Sequence, residues 1–215
     1  MEVATDLASG MSDFTVVVAT YGDRSWAELG ERAATSAESQ APVIHIHGDN
    51  LHQARNDGLA AVNTEYTIFL DGDDELEPGY VEAMAQGTAD VRAPLVQLCR
   101  DGIAVRKMFM PKVHGHQHVC TPDCLLEGGW IVIGGAARTE LLRSVGGFDD
   151  YPIYEDWALW LKCYRAGATF EAITGAVYRQ HLRRDSRNHA GVAWQGRHYW
   201  HQRILTDVLG ETVTT

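Results

Sequence analysis

Hydrophobic positions along the chain follow two rhythms. Phe14 to Thr20 (FTVVVAT), Val43 to His47 (VIHIH) and Tyr66 to Leu70 (YTIFL) are continuous, largely apolar and β-rich runs of strand length, the pattern of strands buried on both faces of a parallel sheet. Between them the period lengthens to three and four. Trp26, Leu29, Ala33 and Ala37 share one face of a helix expected from Ser25, its N-cap, to about Ser39, and Pro42 ends that segment. The turn Gly48-Asp49-Asn50 leads into a second helix, Leu51 to Val62, and Pro78 opens a third, Gly79 to Ala85. The order β-α-β-α-β-α implies parallel strands joined by right-handed crossovers.

The second half is less regular. Val91 to Leu98 and Ile103 to Met110 read as strands joined by the hairpin signal Arg100-Asp101-Gly102. Trp130 to Ile133 reads as a short strand ended by Gly134-Gly135, and Thr139 to Val145 as a helix. Glu155-Asp156 open a further helix through Arg165, with Leu159, Trp160 and Cys163 on one face, and Ala172 to His181 is a strand interrupted by Gly175. The basic run His181 to His189 reads as a flexible loop, and Ala190 to Leu209 as a final helix. The chain thus divides into a disordered tail over 1–12, one α/β domain over 13–189, and a C-terminal helix over 190–215 that packs on or extends from it.

The third apolar run ends abruptly in Asp71-Gly72-Asp73-Asp74-Glu75, four carboxylates in five residues at a strand's C-terminal end, where open α/β sheets bind ligands. Asp71 and Asp73 are two apart, so a regular strand aims both the same way, and closely spaced carboxylates suit Mg²⁺ or Mn²⁺ shared with substrate phosphates. On its own such a turn is more often a solvated acidic loop. An EF-hand is excluded because Leu76 stands where that loop demands Gly, and residues 19–25 lack the G-x-G-x-x-G of a dinucleotide site. His114, His116, His118, Cys120 and Cys124 invite a zinc reading, but their spacing is tighter than C-x₂₋₄-C…H-x₃₋₅-H, and a mobile polar loop is the expectation.

Composition changes this picture little. The 215 residues are 45% hydrophobic and 22% charged, ordinary for a globular protein. The net charge of −11 disfavours extended nucleic-acid binding. No apolar run approaches a membrane span, and Met1 to Asp13 lacks the order of a signal peptide. A cytoplasmic protein with four reduced cysteines is expected.

Four segments, in order, resemble the family 2 glycosyltransferases, inverting enzymes of the GT-A fold. Ala54-Arg55-Asn56-Asp57-Gly58 is similar to the family's A-R-N-x-G helix, and Phe69 to Asp74 with Pro78 to its L-D-x-D-D strand end. Val145-Gly146-Gly147-Phe148-Asp149 is similar to its G-G-F-D, and Glu155-Asp156-Trp157 to its E-D helix start. Tyr178 to His181 is similar to the segment where many members place a late histidine. The resemblance implies an α/β GT-A fold with a mostly parallel central sheet, and transfer of one sugar from a nucleotide sugar to an acceptor hydroxyl.

It also implies roles. Asp73 and His181 would bind Mn²⁺ or Mg²⁺, Asp71 the ribose or metal-bound water, and Arg55 the nucleotide or its phosphates. Thr20 and Tyr21 would lie beside the nucleobase. Asp156 would be the general base and Glu155 a supporting carboxylate, while Trp130, Gly134, Gly135 and Trp157 would border the donor or acceptor sugar. Arg183, Arg184 and Arg187 are candidates to close over the diphosphate. The chain departs from the family where Ala19 and Gly22 flank Thr20-Tyr21, and where a strand–helix step before Arg55 is shortened. The acid that reads a uracil edge is therefore Asp49 or, second, Asp23, and UDP-sugar is favoured over GDP- or dTDP-sugar. A nucleotidyltransferase, an inactive nucleotide-sugar-binding module, and a glycosyltransferase acting on a modified nucleobase are the competing readings.

Overall fold

The structure, a computed structural model, describes residues 13–106, 108–183 and 194–210. The expected tail over 1–12, Arg184, Arg187 and the ends of the 190–215 segment lie outside the described residues.

In chain order the elements are β1 (Phe14–Tyr21), α1 (Arg24–Glu38), β2 (Val43–Gly48), α2 (Leu51–Ala61), β3 (Tyr66–Asp71), β4 (Glu75–Leu76), α3 (Tyr80–Ala85), β5 (Val91–Arg100) and β6 (Ile103–Ala104). A 3₁₀ turn, Pro122–Leu126, precedes β7 (Ala136–Arg138), α4 (Thr139–Ser144), α5 (Glu155–Arg165), β8 (Phe170–His181) and α6 (Trp194–Leu209). One sheet runs in the order β2-β1-β3-β7-β5-β8-β4, with β6 hairpinned onto β5. β2, β1 and β3 are mutually parallel, and β7 runs antiparallel between β3 and β5. β8 is parallel to β5, so five strands present their C-terminal ends to the same side. That edge carries Tyr21, Gly48, Asp71 and His181.

Several boundaries differ from the sequence expectation for identifiable reasons. Asp23, not Ser25, caps α1: its carboxylate accepts from the Ser25 N–H at 2.9 Å. The buried face of α1 is Gly30, Ala33, Ala34 and Ala37, small residues that admit the helix close to the sheet. The run Trp130 to Ile133 is no strand; it is apolar because Trp130, Ile131 and Ile133 are buried, and its backbone turns, with Gly135 N–H donating to the Val132 carbonyl at 3.1 Å. Short apolar runs do not distinguish strands from such turns. The strand instead follows the glycines as Ala136-Ala137-Arg138, too short and small to signal itself. β6 is two residues long where eight were expected, and the hairpin turns through Asp101 (φ 51°) and Gly102 (φ 77°), a primed two-residue turn. β8 begins at Phe170, and at Gly175 it bulges: Pro94 pairs with Ile173 but Leu95 with Val177.

The core is continuous from β1 and β3 through α5. α5 is enclosed over its middle, with Trp157, Ala158, Leu159, Trp160, Leu161 and Cys163 buried, while its polar residues gather in the first and last turns. α6 covers its outer side through Ile204, Leu205 and Val208. Among the described residues no helix is long and apolar enough to cross a membrane.

The Gly146-Gly147-Phe148 turn joins α4 to the segment before α5. Both glycines take positive φ, +86° and +64°. They differ in surroundings: nothing lies within 4 Å of a Cβ at Gly146, whereas a Cβ at Gly147 would fall on Asn56 Oδ1. Asn56 uses that oxygen to accept from Phe148 N–H and its amide to donate to the Phe148 carbonyl, both at 2.8 Å. Gly147→Ala is therefore expected to destabilise the protein by about 2–4 kcal/mol in urea denaturation, strain plus a broken clamp, against about 1 kcal/mol for Gly146→Ala. Equal costs at the two positions would show that the Asn56 clamp contributes nothing.

Candidate active site

α2 ends on Ala61 and feeds β3, which places Arg55 under the strand end that bears Asp71. Arg55 is 2% exposed. Its Nη2 donates to Asp71 Oδ1 at 2.6 Å and its Nη1 to Glu155 Oε1 at 2.9 Å, and its guanidinium lies 5.0 Å from the Phe148 ring centroid. Burial alone would depress the Arg55 pKa, but the two carboxylates outweigh it and hold the group charged. Arg55 is enclosed, and it ties the end of β3 to the first turn of α5.

This pairing separates the two acids that open α5. Glu155 is 6% exposed and bound to Arg55. Asp156 is half-buried, and its Oδ1 accepts from the Trp157 N–H at 2.8 Å. Burial, then the charge of Glu155, pushes its carboxyl up to about 7. Tyr154, just before this pair, sits at φ 64°, a left-handed conformation rare outside glycine, which aims the chain into the helix.

The Asp71–Asp74 turn is fixed by its last acid. Asp74 is buried; its Oδ2 accepts from Tyr178 Oη at 2.8 Å and its Oδ1 from the His181 N–H at 2.7 Å. Asp71 N–H in turn donates to Tyr178 Oη at 3.3 Å. Burial, with the charges of Asp73 and Asp71, holds Asp74 well above the usual carboxylate range. Asp73 remains partly exposed, with Arg183 Nε at 3.9 Å. His181 Nε2 is buried and makes no hydrogen bond among the described residues; Glu75 Oε1 stands 3.6 Å away, beyond hydrogen-bond reach. A buried imidazole nitrogen without a hydrogen bond beside an acidic turn fits a divalent-metal ligand.

At the other end of the edge a cleft of about 410 Å³ is lined by Gly22, His47, Gly48, Asp49, Gln53 and Asp57. Thr20 is buried behind it, its hydroxyl bonded to His47 Nδ1 at 3.0 Å and His45 Nε2 at 3.2 Å. Tyr21 is half-buried at the end of β1. Gly134 and Gly135 are buried. The close approach that glycine permits is made by the protein itself, the Tyr178 ring against Gly134 and Ile131 with Trp160 against Gly135. Trp157 and Trp130 offer no stacking face either. Both are in the core, and the Trp157 indole already stacks on His201 at 4.5 Å.

The profile described as "Glycosyl transferase family 2" matches residues 12–140, well over half of the chain. The chain belongs to glycosyl transferase family 2. Among solved structures this glycosyltransferase is similar to S. aureus TarS 1-349 in complex with UDP-GlcNAc, at 14% identity and a TM-score of 0.65, covering 94% of this chain and 68% of that one. It is also similar to TarS 1-349 in complex with UDP, at 12% identity and a TM-score of 0.58, covering 94% of this chain and 67% of that one. A longer S. aureus TarS chain matches at 15% identity and a TM-score of 0.56, covering 94% of this chain and 40% of its own length. At these identities the likeness shows the fold, which is GT-A. Among curated proteins none matches by sequence.

Sequence reasoning about the glycosyltransferase missed the Arg55 bridge and the Tyr178–Asp74 latch. Neither has a local signal, because the partners lie 16, 100 and 104 residues apart. The bridge has a direct test. Arg55→Ala would leave Glu155 buried without its counter-charge, and loss of one partner of a buried pair costs about 3–5 kcal/mol. Urea denaturation at pH 8 should show that loss, and Arg55→Ala/Glu155→Gln should recover part of it. A double variant no more stable than Arg55→Ala would mean that the strand end alone sets the arrangement.

Proposed function

We propose that this glycosyltransferase transfers a single sugar from a UDP-sugar to an acceptor hydroxyl by direct displacement, with inversion at the anomeric carbon and dependence on Mn²⁺ or Mg²⁺. One observation carries the reading: Arg55 neutralises Glu155 but leaves Asp156 as the acid at the start of α5 available to take a proton, within electrostatic reach of Asp71. The acceptor O–H would lose its proton to Asp156 as its oxygen attacks the anomeric carbon. The bond from that carbon to the diphosphate oxygen breaks, and the diphosphate leaves with the electron pair from the opposite face.

Asp73 and His181 would hold the divalent cation, and Asp71 would contact the ribose or metal-bound water. When bound, the cation supplies charge neutralisation for the departing diphosphate. Arg183, beside Asp73, is positioned to add to it. The uracil would enter the cleft bearing Asp49, whose carboxylate can accept from the ring N–H, with Tyr21 at its border. Asp23 caps α1, which leaves Asp49 the better candidate. Support for UDP comes from the TarS complexes named above. We place the acceptor in a second cleft, of about 260 Å³, lined by Tyr154, Arg197, His198 and His201.

The deciding experiment incubates the protein with Mn²⁺ and a panel of nucleotide sugars and measures released nucleotide. Slow hydrolysis of UDP-sugars is expected, and release from none of the panel would defeat the proposal. Calorimetry should show UDP binding at least tenfold weaker without Mn²⁺ or Mg²⁺, and Asp73→Asn should erase that difference. Asp156→Asn should lower transfer by roughly 10²–10⁴. Transfer by the native enzyme should rise with pH through about 7, because the ionised form of Asp156 takes the proton. Stability runs the other way. An acid whose folded pKa lies above its unfolded one favours folding as pH falls, so Asp156→Asn should melt no lower than the native protein at pH 8.

A further inference from the structure

Residues 111–129 bear no role in the chemistry above and contain little regular structure, yet their polar side chains converge. Cys120 and Cys124 are buried. One ligand atom each from His116, Cys120 and Cys124 lies within 4.8 Å of the other two. His116 Nδ1 stands 3.8 Å from Cys120 Sγ, and His118 Nε2 stands 3.6 Å from Cys124 Sγ. The two imidazoles lie against each other, tilted by 31°, with ring centroids 4.5 Å apart. We propose that His116, His118, Cys120 and Cys124 form a structural Zn²⁺ site that fixes the shape of this loop.

Magnitudes favour the reading. Around a tetrahedral zinc with Zn–N of about 2.0 Å and Zn–S of about 2.3 Å, nitrogen and sulfur ligands sit about 3.5 Å apart. The two N···S separations are close to that before any ion draws them in. His116 Nε2 is 3.0 Å from Glu127 Oε2, so its N–H donates to the carboxylate and Nδ1 keeps its lone pair for the metal. The Val113 N–H donates to Cys120 Sγ at 3.4 Å, which stabilises a thiolate. Two thiolates with two imidazoles are the donor set of Zn²⁺ rather than of Mg²⁺ or Mn²⁺. A disulfide between the same cysteines would leave both imidazoles and Glu127 without purpose. The spacing H-x-H-x-C-x₃-C misses the familiar zinc-finger pattern because all four ligands lie in one loop, not on two elements.

The loop has a mechanical consequence. The Leu125 carbonyl accepts from Trp157 Nε1 at 2.7 Å, Asp123 accepts from Tyr164 Oη at 2.7 Å, and the Glu127 carbonyl accepts from His201 Nε2 at 2.9 Å. The zinc loop therefore braces both α5, which starts with Glu155 and Asp156, and α6. Its ion differs in kind from the exchangeable cation proposed at Asp73.

Elemental analysis of the native protein, purified without added metal and dialysed, should find one zinc per chain. Cobalt reconstitution should give the intense thiolate-to-Co(II) charge-transfer band, which carboxylate ligands cannot produce. Cys120 and Cys124 should resist alkylation until a thiol-displacing reagent releases the zinc. In Cys120→Ser and Cys124→Ser bound zinc should fall at least tenfold, while Cys163→Ser and Asp73→Asn keep it. These readings on the native protein decide the matter even if a cysteine variant fails to fold. Metal-free protein with reactive thiols, a Cys120–Cys124 disulfide seen by mass, or zinc retained in the Cys120→Ser/Cys124→Ser protein would each overturn the proposal.

Discussion

The arrangement depends on one buried cation. Arg55 holds two carboxylates remote in sequence, the partly exposed Asp71 at the end of β3 and the buried Glu155 at the start of α5. Charge pairs of this sort contribute little net stability over an apolar core, because desolvation offsets much of their attraction. Their effect is on geometry. A guanidinium donates in a fixed planar fork, so the end of β3 and the start of α5 can approach only in one relation. That relation brings Asp156 near Asp71 without a direct contact between them.

A second constraint acts on the other side of the turn. Asp74 is a carboxylate kept from water, and two donors from β8 hold it there, the Tyr178 hydroxyl and the His181 N–H. The same contacts fix the backbone that carries Asp71 and Asp73, and they bring the His181 ring beside the turn. The four segments that resemble the family are largely framework in this light. Arg55 and Asn56 clamp, Gly147 makes room for Asn56, Asp74 latches, and Glu155 answers Arg55. On the proposed reading, the residues that would face a substrate are fewer: Asp49, Asp71, Asp73, Asp156 and His181.

The first half of the fold was legible in the sequence. Continuous apolar runs alternating with a 3.6-residue period have one economical arrangement, and β2-β1-β3 is that arrangement. The second half was less so, because β7 is three small residues and β4 two, paired with distant strands that supply the stability their own sequences lack. The Trp130–Ile133 run was apolar for burial rather than for pairing. At the site, the acids and His181 were identifiable by type and order. What each acid does was not, since that depends on which carboxylate the buried arginine takes. The same limit applied to residues 114–124, where spacing along the chain misrepresents a cluster formed by a folded loop.

The charge pattern at the strand ends supports the cation in the proposed mechanism. Asp71, Asp73 and Glu75 face Arg55, Arg183 and Arg179, and each of those cations is already engaged: Arg55 with Asp71 and Glu155, Arg179 near Glu75 and Glu77, and Arg183 near Asp73. A diphosphate brought to this turn meets carboxylates at a few ångströms. Like charges 4 Å apart repel by about 4 kcal/mol at the effective dielectric of a protein surface. A nucleobase held in the Asp49 cleft would have to overcome several such terms by itself. One divalent ion between the acids and the phosphates reverses their sign, and His181 Nε2 is a buried donor for it that costs no additional negative charge. On the proposed reading, an acidic turn with an imidazole at its side would bind an anion only together with a metal.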